Sequence, residues 1–473
     1  MKVIQLIQPV ILLIFSIACA NRNDKETTGN ISIENGITPV PVATADTFET
    51  GKVVPAILCK ANPDQSYALY IPAGNHRGAL PVIYFFDPHG DGALPVTRYK
   101  SLADLYGFIL IGSNNSKNGN NWPTAENIWT ILSGDSKKRL QINVSRIYTC
   151  GFSGGAKVAG YIAMNHPEVK GVIAGGAALP DGTPPGNFRF SFTAIAGEGD
   201  MNMTDIAAFS AALDKTQTRH RIIFFDGIHE WAPVHTMDIA FAGLQLDAMG
   251  EKLVPRNDTL ISNYIAGSKK RIADYTKANN YIKADAECRV SISLLGELTG
   301  AADWFNQKEA SIKSNPVYQN QLQSRQHLLA TEQNLKEQYM RQFQQGDMNY
   351  WNTTIRDLQA KANPATGEGA MYQRLVAYLS LAFYSISNQL IVQHRDKEAQ
   401  YFVELYKADD VKNPEAWYFS AILQARSGNA TAAKDDLLKA VTNGFTDKIR
   451  MRQQQEFQNL PFNLAEIESK MKK

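Results

Sequence analysis

Arg146-Ile147-Tyr148-Thr149-Cys150-Gly151-Phe152-Ser153-Gly154-Gly155-Ala156-Lys157-Val158-Ala159-Gly160-Tyr161 is the stretch on which the fold turns. Its first five residues read as a short strand, and from Gly154 onward it reads as the start of a helix. Between them lies Gly-x-Ser-x-Gly, with tiny residues around the serine. A sharp strand-to-helix reversal leaves no room for a Cβ on those neighbours. Ser153 would project above the end of a sheet, with a helix start beneath it that favours developing negative charge. Serine is a poor nucleophile until a base takes its proton, and the base needs an acid to orient it.

Both partners are to be sought downstream. Thr193-Ala194-Ile195-Ala196-Gly197-Glu198-Gly199-Asp200 is a strand running into a Gly-rich turn that ends in carboxylates. Ile222-Ile223-Phe224-Phe225-Asp226-Gly227-Ile228-His229 is a strand followed by a turn bearing a histidine. Asp200 is preferred as the acid over Glu198 and Asp226 because it stands in the turn after the strand. His229 is preferred as the base. His220 begins a strand, His235 falls in the following helix, and His166 ends a helix before Pro167, where it meets the helix dipole. His89 reads as a site-lining or turn residue. Ser153, Asp200 and His229 all fall just past strand ends, the edge on which α/β sheets keep their sites.

Working outward, strand-like runs alternate with helical ones from about Phe48 to Gly250. The runs are Tyr67–Ile71, Val82–Phe86, Phe108–Gly112, Arg146–Cys150, Val172–Gly175, Phe192–Ala196 and Arg221–Phe225. Such alternation predicts an α/β domain over 47–250: a mostly parallel sheet with helices on both faces. After Glu251 the strand-like runs stop, and 251–473 reads as an all-α domain. Within it Trp417, Ala421, Ala433 and Ala440 match the large-then-small positions of a tetratricopeptide (TPR) repeat. Phe383, Ser387 and Ala399 repeat the pattern about 34 residues earlier. Degenerate TPR-like repeats, clearest over 379–446, are expected, with an irregular helical bundle as the plainer alternative.

Residues 1–18 read as a secretory signal. Lys2 precedes the apolar run Val10–Phe15, which is too short to span a bilayer. Ser16-Ile17-Ala18-Cys19 resembles a bacterial lipobox, which makes Cys19 the lipidation site and predicts export with lipid anchoring at the cell envelope. The alternative is an ordinary cleaved signal. Asn21 favours the outer membrane where the bacterium has two. Residues 19–46 read as a flexible tether, and no later run of membrane-spanning length stands out.

Across the 473 residues, 44% are hydrophobic and 20% charged, the balance of a chain that folds around a core. A net charge of +2 excludes an electrostatic nucleic-acid footprint. The four cysteines form no CxxC pair and cannot make a disulfide scaffold. Cys150 reads as a buried small hydrophobe, and Cys59 and Cys288 are candidates for pairing in an oxidising compartment. Asp87-x-His89-x-Asp91 lacks the remaining ligands of a calcium loop. No nucleotide, flavin or metal motif is present, so no cofactor is expected.

The Gly-x-Ser-x-Gly turn, the segment Tyr106–Ser116 and the lead-in Asn143–Tyr148 together resemble the α/β-hydrolase superfamily, in particular its secreted esterase and polyhydroxybutyrate-depolymerase-like branch. The resemblance covers about 53–249. It implies Ser153 as nucleophile, His229 as base and Asp200 as acid. It implies Gly154 as one backbone oxyanion donor and Asp91, in Phe85-Phe86-Asp87-Pro88-His89-Gly90-Asp91-Gly92, as the other. In that branch the positions of Asp87 and Pro88 are apolar. A carboxylate at Asp91 is compatible with a forming oxyanion only if it turns away. The activity so implied is carboxylic-ester hydrolysis through an acyl-enzyme, on a small-molecule, polyester or carbohydrate ester. An inactive hydrolase-fold scaffold, binding a protein partner through its helical half, and a serine peptidase are the alternatives.

Overall fold

A computed structural model describes residues 47–74, 78–458 and 460–471. The signal, tether and Cys19 lie outside the described residues. The chain divides into two compact units at Arg325/Gln326.

The first unit carries one eight-stranded sheet in the order β1-β2-β4-β3-β5-β6-β7-β8. The strands are β1 (Val54–Leu58), β2 (Ser66–Tyr70), β3 (Leu80–Phe86), β4 (Ile109–Ser113), β5 (Ile142–Phe152), β6 (Val169–Gly175), β7 (Ser191–Gly197) and β8 (His220–Phe225). β2 runs antiparallel to both β1 and β4, and every pairing from β3 to β8 is parallel. This is the mostly parallel α/β sheet that the alternating runs predict. The edge strand β1 is the one the sequence hides, because Pro55 removes a ladder donor and is tolerated only at an edge.

Alternation along β3 assigns the faces. Phe85 packs on Tyr99 of α1 (Ala93–Tyr106), with ring centroids 6.0 Å apart. Tyr84, pointing the other way, meets Trp129 of α2 (Trp122–Arg139) at 4.9 Å. Both are fully buried, as expected of a strand covered on two sides. α3 (Gly154–Asn165) and α4 (Met203–Leu213) cover the α2 face, where Thr149 donates to Ala159 O at 3.0 Å and Phe192 meets Phe209. α5 (Val234–Gly250) lies with α1 on the other, its Gln245 accepting from Arg146 at 2.7 Å. β3 is flanked by β4 and β5, so the order in which strands are added to the sheet reverses at β3. Ligand sites of open α/β sheets open above such a switch point.

The composition changes after residue 250, but the sheet-bearing unit continues to Arg325. Helices α6 (Asp258–Lys277), α7 (Tyr281–Leu295) and α8 (Ala301–Lys313) belong to it. Ile261, Ile272, Cys288, Leu294 and Phe305 share one apolar core with Ile83, Phe85 and Phe241. A helix's sequence shows that it has an apolar face and leaves open which core that face enters. α9 (Pro316–Gln345) contains the division.

The second unit holds α10 (Met348–Lys361), α11 (Gly367–Val392), α12 (Asp396–Asp409), α13 (Pro414–Arg426), α14 (Ala430–Thr442), α15 (Lys448–Gln453) and α16 (Leu464–Glu468). Neighbours pack as pairs, α11 with α12 and α13 with α14. Ser387, Ala399, Ala421, Ala433 and Ala440 are fully buried at their contacts. By length and composition the 26-residue α11 is apolar enough to cross a membrane, which corrects the expectation that no such run follows the signal. Its Leu375, Leu379, Phe383 and Ile386 are buried in this unit's own core.

Candidate active site

Ser153 follows β5 directly and serves as the N-cap position of α3, with φ 53° and ψ −121°. A side chain at positive φ is strained, and surrounding structure must hold it there. Ser153 N donates to Gly175 O at 2.8 Å, and Ser153 O accepts from Ala156 N at 3.0 Å. The glycines make the turn possible. A Cβ on Gly151 would stand 2.0 Å from Gly155 O, and one on Gly155 would stand 1.9 Å from Phe86 O. The Asn118 amide occupies the space a side chain on Gly154 would need.

The loop after β8 brings His229 over the serine, with Nε2 2.9 Å from Ser153 Oγ. Nδ1 is 3.0 Å from both carboxylate oxygens of Asp200. A carboxylate can only accept, so Nδ1 carries the proton of the neutral ring, and Nε2 is left to accept from the serine hydroxyl. Asp200 is 1% exposed, and its Oδ1 also accepts from Asn202 N at 2.8 Å. The Asn202 amide in turn donates to Gly176 O, tying the acid's turn to the loop after β6. The ring of Phe152 lies 4.6 Å from that of His229.

The structure therefore brings together Ser153, Asp200 and His229. The competing groups stand away from the serine. Glu198 pairs with Arg325 at 3.2 Å and Asp226 with Lys283. His220 meets Asp214 at 3.0 Å, His166 meets Glu126 at 2.8 Å, and His235 stands exposed in the first turn of α5. Cys150 is fully buried, and burial pushes its thiol well above the ordinary range. Cys59 and Cys288 are buried free thiols. Among the described residues no cluster of three or more His, Cys, Asp or Glu could hold a metal, and that includes Asp87, His89 and Asp91.

In the loop after β3 the Asp91 carboxylate turns toward the start of α1, where Oδ1 accepts from Leu94 N at 3.1 Å. Its main-chain N–H faces Asp87 Oδ1 at 3.5 Å, at the outer limit of a hydrogen bond. Gly154, the first residue of α3, presents an N–H that the helix itself does not use. The sequence shows Asp87 as a departure from the resembled branch without giving it a role, and it gives no sign of Trp231. Asp87 is 3% exposed, and Trp231 donates to it from Nε1 at 2.9 Å. Burial pushes the Asp87 carboxyl up, and hydrogen bonds from His89 and Trp231 outweigh that and hold it below the ordinary carboxylate value. The signal for its role is the acid itself, standing directly after the apolar strand β3.

No family model matches the chain, and no curated protein does. Among solved structures, a hyperthermophilic esterase from Pyrobaculum calidifontis is similar at 13% identity and a TM-score of 0.35, over 42% of this chain and 87% of that one. A thermostable carboxylesterase from a metagenomic library shares 12% identity at a TM-score of 0.35, over 42% and 90%. A ferulic acid esterase shares 16% at 0.32, over 40% and 94%.

Proposed function

We propose that the chain is a serine hydrolase that cleaves carboxylic esters through an acyl-enzyme. The observation that supports this reading is the unbroken hydrogen-bonded series Ser153 Oγ, His229 Nε2, His229 Nδ1, Asp200, with links of 2.9 and 3.0 Å. His229 Nε2 takes the hydroxyl proton as Ser153 Oγ bonds to the acyl carbon. The carbonyl π electrons move onto oxygen, forming a tetrahedral oxyanion. Gly154 N–H and Asp91 N–H are the donors assigned to that oxyanion. On collapse, His229 gives its proton to the departing alkoxide, which leaves as the alcohol. Water then adds to the acyl carbon, its proton passing to His229. Collapse of the second oxyanion frees the carboxylic acid and returns the proton to Ser153.

Ester is preferred over amide because an alkoxide is the better leaving group. The substrate is a small-molecule, polyester or carbohydrate ester. Cys19 is proposed to carry the lipid that anchors the protein, facing away from the cytoplasm. The helix pairs of the second unit are read as degenerate TPR-like repeats available to a protein partner.

The test is labelling of the chain from Ala20 onward with a fluorophosphonate, beside Ser153→Ala and His229→Ala. Labelling of the wild type that is lost in both variants is the expected result. A folded wild type that takes no label would overturn the enzyme reading in favour of the scaffold.

A further inference from the structure

We propose that Asp87 is a positioning residue, a buried carboxylate that straps the loop after β3 to the loop carrying His229. Its catalytic consequence rests on the serine-hydrolase reading. The strap itself does not.

Residue 87 directly follows the apolar strand β3, and an apolar side chain would fill this place without the cost of burying a charge. A buried carboxylate is tolerated only when donors surround it. Asp87 has them on both oxygens. Oδ2 accepts from Trp231 Nε1 at 2.9 Å, across 144 residues of sequence. Oδ1 accepts from His89 N at 2.8 Å and faces Asp91 N at 3.5 Å. His89 Nδ1 lies 3.5 Å from the same oxygen. What the acid adds over an apolar residue is direction, because it fixes where the N–H groups of this loop point.

The other end of the strap is rigid. Trp231 is 6% exposed and packs on Phe85, Tyr99 and Phe152 at 6.2, 6.0 and 5.6 Å. Phe152 precedes the serine and packs at a tilt against the histidine ring. Tyr99 donates to Ala232 O at 2.7 Å, a second tie from α1 to the same loop. The carboxylate therefore joins the segment holding one assigned oxyanion donor to the segment holding the base. His89 N is committed to Asp87. The longer Asp91 contact leaves that N–H the freer of the two to turn toward a developing oxyanion.

The variants are Asp87→Asn, Trp231→Phe and the pair together, in the chain from Ala20 onward. An amide at 87 presents Trp231 with a donor or the loop with one, and either way one side of the strap is lost. Phenylalanine keeps the ring packing and removes only the indole N–H. Hydrolysis of p-nitrophenyl acetate should lose roughly 10- to 100-fold in kcat in Asp87→Asn, the scale of a slightly misplaced group, while KM moves by less than about threefold. Trp231→Phe should lose less, and the double variant should be no worse than Asp87→Asn alone. Hydrogen exchange should quicken at both 86–93 and 227–233 in each single variant. Unchanged kcat in Asp87→Asn, multiplying losses in the double variant, or exchange altered in one loop only would each overturn the proposal. A wild type that neither hydrolyses the ester nor takes fluorophosphonate would instead sink the hydrolase reading, and the exchange measurement would still decide the strap.

Discussion

A carboxyl placed out of reach of water holds its proton, and Asp409 at the end of α12 is such a group. It is 6% exposed, and its Oδ1 has no hydrogen-bond partner among the described residues. Burial pushes its carboxyl up to about 7, helped by the nearby charge of Asp410 and opposed by a hydrogen bond with Ser380. The folded value lies above the unfolded one, near 3.9. The fold therefore prefers the protonated acid, and this contribution is fully present below pH 4 and lost as pH rises through about 7. Asp409→Asn cannot titrate. Its advantage in melting temperature over the wild type should grow from pH 5 to pH 8. Equal differences between the two proteins at both pH values would show that Asp409 is not buried as described. At the same scale, Ser153 was legible because the constraint on it is local: glycines on both sides of one serine. Asp200 and His229 were legible because each follows a readable strand. The role of Asp87 was not, since its partner Trp231 lies 144 residues away and no local pattern links them.

Elements were legible where burial is two-sided. The run Val82–Phe86 is fully buried and reads as a central strand without ambiguity. β1 was missed because its pattern is mostly exposed and Pro55 breaks it. β8 shows a subtler failure, since His220 and Arg221 read as the polar entry of a strand. Arg221 is in fact 3% exposed, and its guanidinium makes a two-pronged contact with Asp247 of α5 at 2.8 and 2.9 Å, with Thr193 of β7 at 3.2 Å. Replacing both partners of such a pair is tolerated far better than removing one, which strands a buried charge. Arg221→Ala should lower unfolding stability by about 3–5 kcal/mol in urea titration. Arg221→Leu with Asp247→Leu should lose clearly less than Arg221→Ala. If the single and double variants are equally damaged, the loss comes from packing, and the ion pair is not what joins β8 to α5.

At the scale of the molecule, the two apolar cores share no residue among the described ones. One gathers buried side chains up to Tyr318, and the other gathers them from Tyr339 onward. A division drawn at residue 250 would cut through the first. α7 reaches β8 through Ser293 Oγ, which donates to His220 O at 3.0 Å, and Arg219 pairs with Glu297 at 2.6 Å. Leu294 lies against Gly243 of α5, and Cys288, Leu294 and Leu295 are 0 to 3% exposed. Removing 251–325 would strip these side chains from the sheet's own core. At roughly 25 cal/mol per Å² of apolar surface, uncovering several such residues removes a large share of the roughly 5–15 kcal/mol by which a domain is stable. A chain of residues 47–325 should melt cooperatively and keep its near-ultraviolet circular dichroism. A chain of residues 47–250, which ends where the composition changes, should show neither and should bind a hydrophobic dye. The physical reason is that a strand-rich stretch announces a sheet and says nothing of which later helices close it. A cooperative melt of 47–250 with native-like near-ultraviolet signal would mean that the sheet closes on α1 to α5 alone, and that α6 to α8 are an addition to a domain already complete.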